Sequence, residues 1–290
     1  MNITILTPTL ILSFFIFLTI LPFLHLFHFR GPYKIPFSFI LRRFSRFEMW
    51  YMKFMFILLK FNILYKNRLT RFIPEFIGFF AASGIRPVCF SLQDLKKILN
   101  NIYPDNKKQR KDFILRPCPC RDAQGKYSKD VPNITDILFT TNKNDYPVNR
   151  DNLFLTKQEI FDRLDYFDEK GLVHIVLGCM GISGVNICNC HKPICYVLQA
   201  VLVRGLKVGL KKGPSIATID VDKCKGIDEC GICLERCVFR ARNIINGKGN
   251  VIAENCFGCG LCANSCPENA TKMKKRENWH AYYFPKIWFE

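Results

Sequence analysis

The sequence lacks the glycine-rich motifs that bind nucleotide phosphates. No GxGxxG follows an apolar stretch, and there is no P-loop. No nucleophilic side chain is recognisably paired with a general base. These absences argue against a nucleotide or flavin site and against covalent catalysis. If the chain is part of an enzyme, we expect its catalytic partner to be another polypeptide.

Acidic residues are scarce on the N-terminal side. Residues 1–116 contain 5 Asp and Glu beside 18 Lys and Arg, so +13 of the formal net charge of +18 lies there. Such an excess is typical of nucleic-acid binding. Here, however, it lies beside a strongly apolar segment. We therefore expect an anionic membrane surface as the partner and do not expect nucleic acid.

Charged residues are absent from the first apolar segment, because no Asp, Glu, Lys or Arg occurs from Ile3 to Phe29. About 20 apolar residues span a bilayer, so residues 1–31 are predicted to be a transmembrane anchor. A cleaved signal peptide is the alternative, but a basic start and a small-residue cleavage site are missing. Basic residues from Arg30 to Arg46 follow directly. They predict that the cysteine-rich part lies on the cytoplasmic side.

Residues 32–104 are basic and aromatic and are predicted to be a membrane-proximal helical region. Within them, residues 49–65 include Lys53 and Lys60, which makes a membrane span a poor interpretation. A helix lying in the membrane interface fits better, because lysine stems can reach the aqueous side. Ordinary protein core is the alternative.

Two capping boxes predict helix starts, at Ser91 with Asp94 and at Thr156 with Glu159. The polar run DNKKQRK predicts a linker, and a cysteine-rich α/β module is assigned to residues 105–213.

The fifteen cysteines mostly lie two or three residues apart. Such neighbours pair poorly as disulfides but can converge on a metal, which disfavours a secreted disulfide-bonded protein. An internal repeat is more specific: Cys230-Gly-Ile-Cys233-x3-Cys237 recurs 29 residues later as Cys259-Gly-Leu-Cys262-x3-Cys266. A further cysteine precedes each copy, at positions 224 and 256. Zinc knuckles are the alternative to an iron–sulfur site.

On these motifs, residues 217–276 resemble the bacterial two-[4Fe–4S], or dicluster, ferredoxin domain. We assign that domain to residues 214–276 and a C-terminal tail to residues 277–290. The second repeat matches the family pattern CxxCxxCxxxCP completely. The resemblance implies two [4Fe–4S] clusters and two ligand sets. The first set is Cys224, Cys230, Cys233 and Cys266, and the second set is Cys256, Cys259, Cys262 and Cys237.

The first repeat departs from the family pattern in two ways. Five residues, 225–229, separate its first two cysteines where the family has two residues, and Val238 stands where the family has proline. The geometry of this cluster is therefore expected to differ from that of the second.

The upstream cysteines include two CxC pairs, Cys118 with Cys120 and Cys188 with Cys190. In extended chain, residues i and i+2 point to one side, so each pair can offer two sulfurs to one metal. The sequences CxCR, GLVH and ICNC resemble a module that accompanies dicluster ferredoxin domains in some proteins of anaerobes. We predict a third site, iron–sulfur or zinc, with Cys195 or Cys179 as substitute ligands. His174 is predicted to be a core residue and Cys89 a buried apolar one, whereas His191 is either a ligand or a solvated neighbour.

The predicted fold class is α+β. It comprises an N-terminal membrane helix region, the small α/β cysteine-rich module and a dicluster ferredoxin domain with a pseudo-twofold internal repeat. The predicted function is membrane-anchored electron transfer, as a carrier or as a subunit of a redox complex whose donor and acceptor the sequence does not identify. The alternatives are a reductase that uses an open metal site in the upstream module and a redox-sensing iron–sulfur protein.

Overall fold

The computed structural model describes residues 49–50, 52–85, 87–103, 112–140, 152–178, 184–207 and 209–280. The predicted anchor and Cys179 lie outside these ranges. Residues 52–60 are helical. The following helices, α1 to α8, are Ile63–Lys66, Phe72–Ile85, Leu92–Ile102, Pro119–Gln124, Lys157–Glu169, Tyr196–Leu202, Ile232–Glu235 and Leu261–Asn264. The strands, β1 to β10, are Val88–Phe90, Phe113–Pro117, Ile134–Thr140, Leu153–Leu155, Val173–Gly178, Gly184–Cys190, Ser215–Ile219, Arg242–Ile245, Lys248–Val251 and Thr271–Lys275.

Six strands form one antiparallel sheet in the order β1-β5-β6-β3-β2-β4. Helices α3 and α5 cover one face, where their apolar stripes join side chains of the strands in a single hydrophobic core. Buried members of the α5 stripe are Ile160, Leu164 and Phe167. Alternate residues of each strand point to the opposite face, which is therefore left for other elements to cover.

Both predicted helix starts are confirmed. The Ser91 hydroxyl accepts a hydrogen bond from the Asp94 backbone N–H at 3.1 Å. At α5, the Thr156 hydroxyl accepts from the Glu159 backbone N–H, and the Glu159 carboxylate accepts from the Thr156 N–H at 2.7 Å. Gly171 follows α5 with a φ of 75° and reverses the chain into β5.

The sheet includes residues on the N-terminal side of the boundary predicted at residue 105. Strand β1 pairs with β5 at the sheet edge, and α3 packs in the core. A three-residue strand has no hydrophobic period to reveal it in the sequence. The cysteine-rich module and residues 88–102 therefore form one folded unit.

The C-terminal domain repeats a strand, a helical turn and a strand. Helical turns α7 and α8 start 29 residues apart, as the repeat predicts. Outer strands β7 and β10 pair, as do inner strands β8 and β9. Together with α6, this domain covers the second face of the large sheet, where one hydrophobic core joins them. The described residues together form a mixed α/β structure.

Residues 52–66 have two contrasting faces. Met55, Phe56 and Leu59 are buried, and the last two pack with α6 in a small core of their own. The opposite side exposes Ile57 and Phe61 together with the lysines predicted to reach water. The segment is thus part core and part exposed apolar surface. In the described part of the chain, every helix is too short or too polar to cross a bilayer.

Candidate metal centres

The four cysteines of the first set line one cavity in the C-terminal domain. Three come from the first repeat, and Cys266 comes from the second. All four are partly exposed. Burial raises the pKa of Cys233 above its ordinary value. Binding of a metal cluster by these cysteines would release the thiol proton of Cys233, because the form that binds metal is the thiolate.

The five-residue loop that interrupts the first repeat docks on the β8–β9 turn. Asn246 and Gly247 form that turn with φ values of 50° and 73°, as expected for an Asn-Gly hairpin. The Ile227 N–H donates to the Gly247 carbonyl at 3.0 Å. Gly226 has a φ of 93°, and a Cβ there would lie 2.8 Å from the same carbonyl oxygen. The insertion is therefore held against the turn, with Cys224 and Cys230 at its two ends.

The four cysteines of the second set line another cavity. Cys256, Cys259 and Cys262 are only 7–8% exposed. Burial raises the pKa of Cys262 to about 11. The Cys237 thiol accepts a hydrogen bond from the Ala241 backbone N–H at 3.1 Å. The second set is more deeply enclosed than the first.

Arg242 lies between the two sets. Its Nη2–H donates to the Cys262 sulfur at 3.1 Å, and the guanidinium also interacts electrostatically with Cys233 and Cys237. Nη1 is buried and has no hydrogen-bond partner among the described residues. A buried guanidinium with an N–H group that has no acceptor is stabilised when an anion lies beside it. Eight thiolates and a guanidinium therefore fit two anionic iron–sulfur cores.

Within the described ranges, no group of three or more His, Cys, Asp or Glu is arranged to hold a single metal ion. A cubane cluster binds each thiolate through a different iron, so its ligands need not converge on one point.

The second set is in contact with the edge of the large sheet. Cys89, on β1, is fully buried as predicted, and its thiol is the main group that lowers the pKa of Cys259. Arg276 donates to the Cys256 carbonyl at 2.6 Å and also to the Gly213 carbonyl. A Cβ at Gly213 would lie 2.0 Å from the Cys89 carbonyl oxygen, so only glycine allows this approach.

The upstream cysteines do come together. Thiol–thiol contacts run from Cys118 to Cys120, on to Cys195, then to Cys190 and finally to Cys188. All five line a cavity of about 140 Å³, which we call the five-cysteine cavity. The Cys120 and Cys190 thiols lower the pKa of Cys195 to about 5, although burial opposes this. The structure thus places Cys195 between the two predicted pairs.

One of the two CxC pairs is not extended. Cys188 and Cys190 lie on β6 and share a face, as predicted. Cys118, however, is the N-cap of α4, Pro119 is its first residue, and Cys120 lies within the helix. The expectation that this pair lies in extended chain was wrong, because the first turn of a helix tolerates a proline such as Pro119.

Three basic side chains line the same cavity, and one of them, Arg116, is paired with Asp136. Arg121 is 1% exposed, and its Nη2 has no hydrogen-bond partner in the described structure. His191 is partly buried, and burial lowers its pKa. His174 instead lies in the core, with its Nδ1 2.6 Å from the Asn189 side-chain oxygen. Sequence reasoning missed Arg121 and Arg242, although the R of CxCR was a signal for the first.

Comparison with known proteins supports an iron–sulfur-binding domain on the C-terminal side. Residues 250–272 match the family described as 4Fe-4S binding domain. A pyruvate synthase subunit, PorD, of Methanothermobacter marburgensis is 35% identical over 60 residues, which are 20% of this chain and 65% of that subunit. The chain thus spans just under two thirds of that relative.

An uncharacterized ferredoxin of Methanocaldococcus jannaschii is 37% identical over 59 residues, which are 20% of this chain and 92% of the ferredoxin. No solved structure matches the chain. The match covers nearly the whole of the M. jannaschii ferredoxin. The chain therefore belongs to the ferredoxin family through a 4Fe–4S-binding domain on its C-terminal side.

Proposed function

We propose that the chain transfers single electrons through two [4Fe–4S] clusters, one in the first set and one in the second. One observation carries the proposal: each of two cavities is lined by four cysteines, three from one repeat and one from the other. When bound, each cluster supplies one-electron redox chemistry. The protein supplies thiolate ligands, the positive charge of Arg242 and the exclusion of water around the second set.

The first set is the proposed contact point for a redox protein. Its cysteines are partly exposed, and the exposed apolar side chains of Ile232 and Ile244 lie beside them. Apolar patches of this kind on a soluble surface commonly mark docking sites. The likeness to a pyruvate synthase subunit supports a partner within a larger redox complex.

We further propose that the chain is held at a membrane, with its cysteines on the cytoplasmic side. Residues 50–79 expose a series of large apolar side chains among basic ones. The exposed apolar residues are Trp50, Ile57, Phe61, Ile63, Leu69, Phe72, Ile73, Phe76 and Phe79. The basic ones include Lys53, Lys60 and Lys66. Apolar burial combined with attraction to anionic lipids is what an interfacial surface requires.

A reductase is the second candidate function, because the five-cysteine cavity has about 140 Å³ of space and is lined by His191. A void of this size can hold a small organic molecule. The same space also suits a metal cluster, and a cluster bound there would leave no room for a substrate.

The test of electron transfer is anaerobic reconstitution with iron and sulfide, followed by quantification and EPR. Two cubanes require at least about eight irons and eight acid-labile sulfides per chain. Replacing Cys230 and Cys233 by Ala removes about four irons, and replacing Cys259 and Cys262 by Ala removes four others. Stoichiometric zinc with almost no sulfide would refute the proposal.

A further inference from the structure

The five-cysteine cavity is built from three separated segments of the chain. Cys118 and Cys120 begin α4, Cys188 and Cys190 end β6, and Cys195 is the N-cap of α6. Pairing of β2 with β3 and of β3 with β6 brings the start of α4, the end of β6 and the start of α6 together. Buried free thiols are ordinary, but five in one contact chain around a void are not explained by packing, since close packing leaves few such voids.

The charge around this cavity is unbalanced. Arg121 is almost fully buried beside the thiols, and its Nη2 has no hydrogen-bond partner among the described residues. An uncompensated buried charge costs several kcal/mol. An iron–sulfur core with four thiolates carries about −2 and would supply the missing anion. Arg242 shows the same feature, a buried guanidinium with an unfilled donor, beside the second set.

We propose that the five-cysteine cavity binds a third iron–sulfur cluster through Cys118, Cys120, Cys190 and Cys195. Cys188 is the fifth thiol and is not a ligand. Its Sγ–H donates to the Asp136 carboxylate at 3.1 Å, and Asp136 also forms an ion pair with Arg116 at 2.6 Å. This hydrogen bond engages the Cys188 sulfur outside the ligand set.

The position of this site relative to the second set gives it a role, which rests on the function proposed above. Cys89, Ile175 and Cys188 are neighbours in register across β1, β5 and β6. Cys89 contacts Cys259 of the second set. Strands lie about 4.8 Å apart, so two strand spacings separate Cys89 from Cys188 by roughly 10 Å.

If both sites held clusters, a single electron would pass between them past Cys89 and β5, with no bond formed or broken. Met52 and Met55 line the other side of the five-cysteine cavity. The five-cysteine cavity therefore lies between the ferredoxin domain and the helix at residues 52–60, which is part of the proposed membrane surface.

The first experiment counts iron in reconstituted full-length protein and in two matched variants. Wild type is expected to bind about twelve irons, the number in three cubanes. Cys195→Ala is expected to bind about eight, and Cys188→Ala about twelve. A wild-type count of about eight overturns the third cluster, even if a variant fails to fold. Zinc in place of the additional iron overturns its iron–sulfur nature, and loss of iron only from Cys188→Ala overturns the ligand assignment.

The second experiment tests the electronic connection by EPR of the reduced protein. Cys89 contacts the second set, and Cys188 borders the five-cysteine cavity two strands away. Clusters in these two neighbouring sites are expected to broaden each other's EPR signals. Replacing Cys237 and Cys259 by Ala should sharpen the third cluster's signal, whereas replacing Cys224 and Cys230 by Ala should leave it unchanged. The opposite pattern overturns the proposed neighbour. The iron lost in these two variants counts the two ferredoxin clusters independently of the third. The proposal of two ferredoxin clusters and the proposal of a third cluster can therefore fail separately.

Discussion

At the scale of single residues, the cysteines of the two repeats carry a sequence signal, whereas Arg121, Arg242 and Cys195 owe their positions to the fold. Ligand spacing in a ferredoxin loop is local, so Cys256 to Cys266 can be recognised in the sequence alone. Arg242 precedes Cys262 by 20 positions and reaches it only because β8 pairs with β9. A single cysteine such as Cys195 likewise carries no spacing signal, and its place in the contact chain depends on the fold.

Arg242 is expected to tune the reduction potentials. Reduction adds a negative charge to a cluster, and a nearby cation favours it. Arg242→Gln removes a buried charged hydrogen bond worth about 1.5 kcal/mol or more. Since 1.4 kcal/mol corresponds to about 59 mV for one electron, potentiometric EPR should show a decrease on the order of 60 mV.

The matched control is Arg240→Gln, which makes the same charge change at an exposed position two residues away. Water screens that charge, so a much smaller shift is expected. Equal shifts in the two variants would mean that Arg242 acts only through net charge.

At the scale of elements, local signals predicted helix starts, and tertiary contacts determined the rest. The capping boxes at Ser91 and Thr156 contain their own hydrogen-bond partners, so the sequence was sufficient. A CxC spacing is compatible with both a strand and a capped helix. Only the fold distinguishes Cys188–Cys190 on β6 from Cys118–Cys120 at the start of α4.

The inserted loop of the first repeat should be sensitive to one methyl group. Gly226→Ala places a Cβ 2.8 Å from the Gly247 carbonyl oxygen at a φ of 93°, which forces the loop off the β8–β9 turn. We expect loss or distortion of the first-set cluster alone, visible as about four fewer irons and a changed EPR signal.

Gly125→Ala provides the control for this loop. Gly125 also has a positive φ, 60°, but its added Cβ would meet nothing within 4 Å. It should cost about 1 kcal/mol of stability and leave every cluster intact. Retention of the first-set cluster in Gly226→Ala would show that loop docking does not position Cys224 and Cys230.

At the scale of the whole molecule, the three sites differ in exposure and in position. The first set is at the surface, the second set is enclosed, and the five-cysteine cavity lies beneath the helix at residues 52–60. Composition predicted the basic, apolar N-terminal side, because charge and hydrophobicity are additive along the chain. Composition does not reveal that residues 88–102 join the cysteine-rich module, which depends on pairing between distant strands.

Membrane attachment is expected to have two components. Full-length protein should remain on vesicles containing anionic lipid at 1 M salt, because a buried apolar span is insensitive to screening. Deleting residues 1–31 should release much of the protein and make the remainder salt-sensitive. Sedimentation with vesicles measures both effects.

In the deletion variant, Lys53→Gln with Lys60→Gln should weaken the remaining binding further, by about 1 kcal/mol per lysine near the surface. Release of the intact chain by salt alone would show that the anchor is absent and that the basic surface acts by itself.

Because each set takes one cysteine from the other repeat, the two sets are completed at different times during synthesis of the chain. Reading from the N-terminus, all five thiols of the five-cysteine cavity emerge before Cys224. The first set is begun next, but it waits for Cys266, whereas the second set is complete at Cys262. During translation, a nascent chain therefore holds three unpaired thiols of the first set while the other centre is finished. If a cluster is inserted into the second set before Cys266 is synthesised, the thiols of Cys224, Cys230 and Cys233 remain without a metal for longest. They are then the last ligands that oxidation can reach.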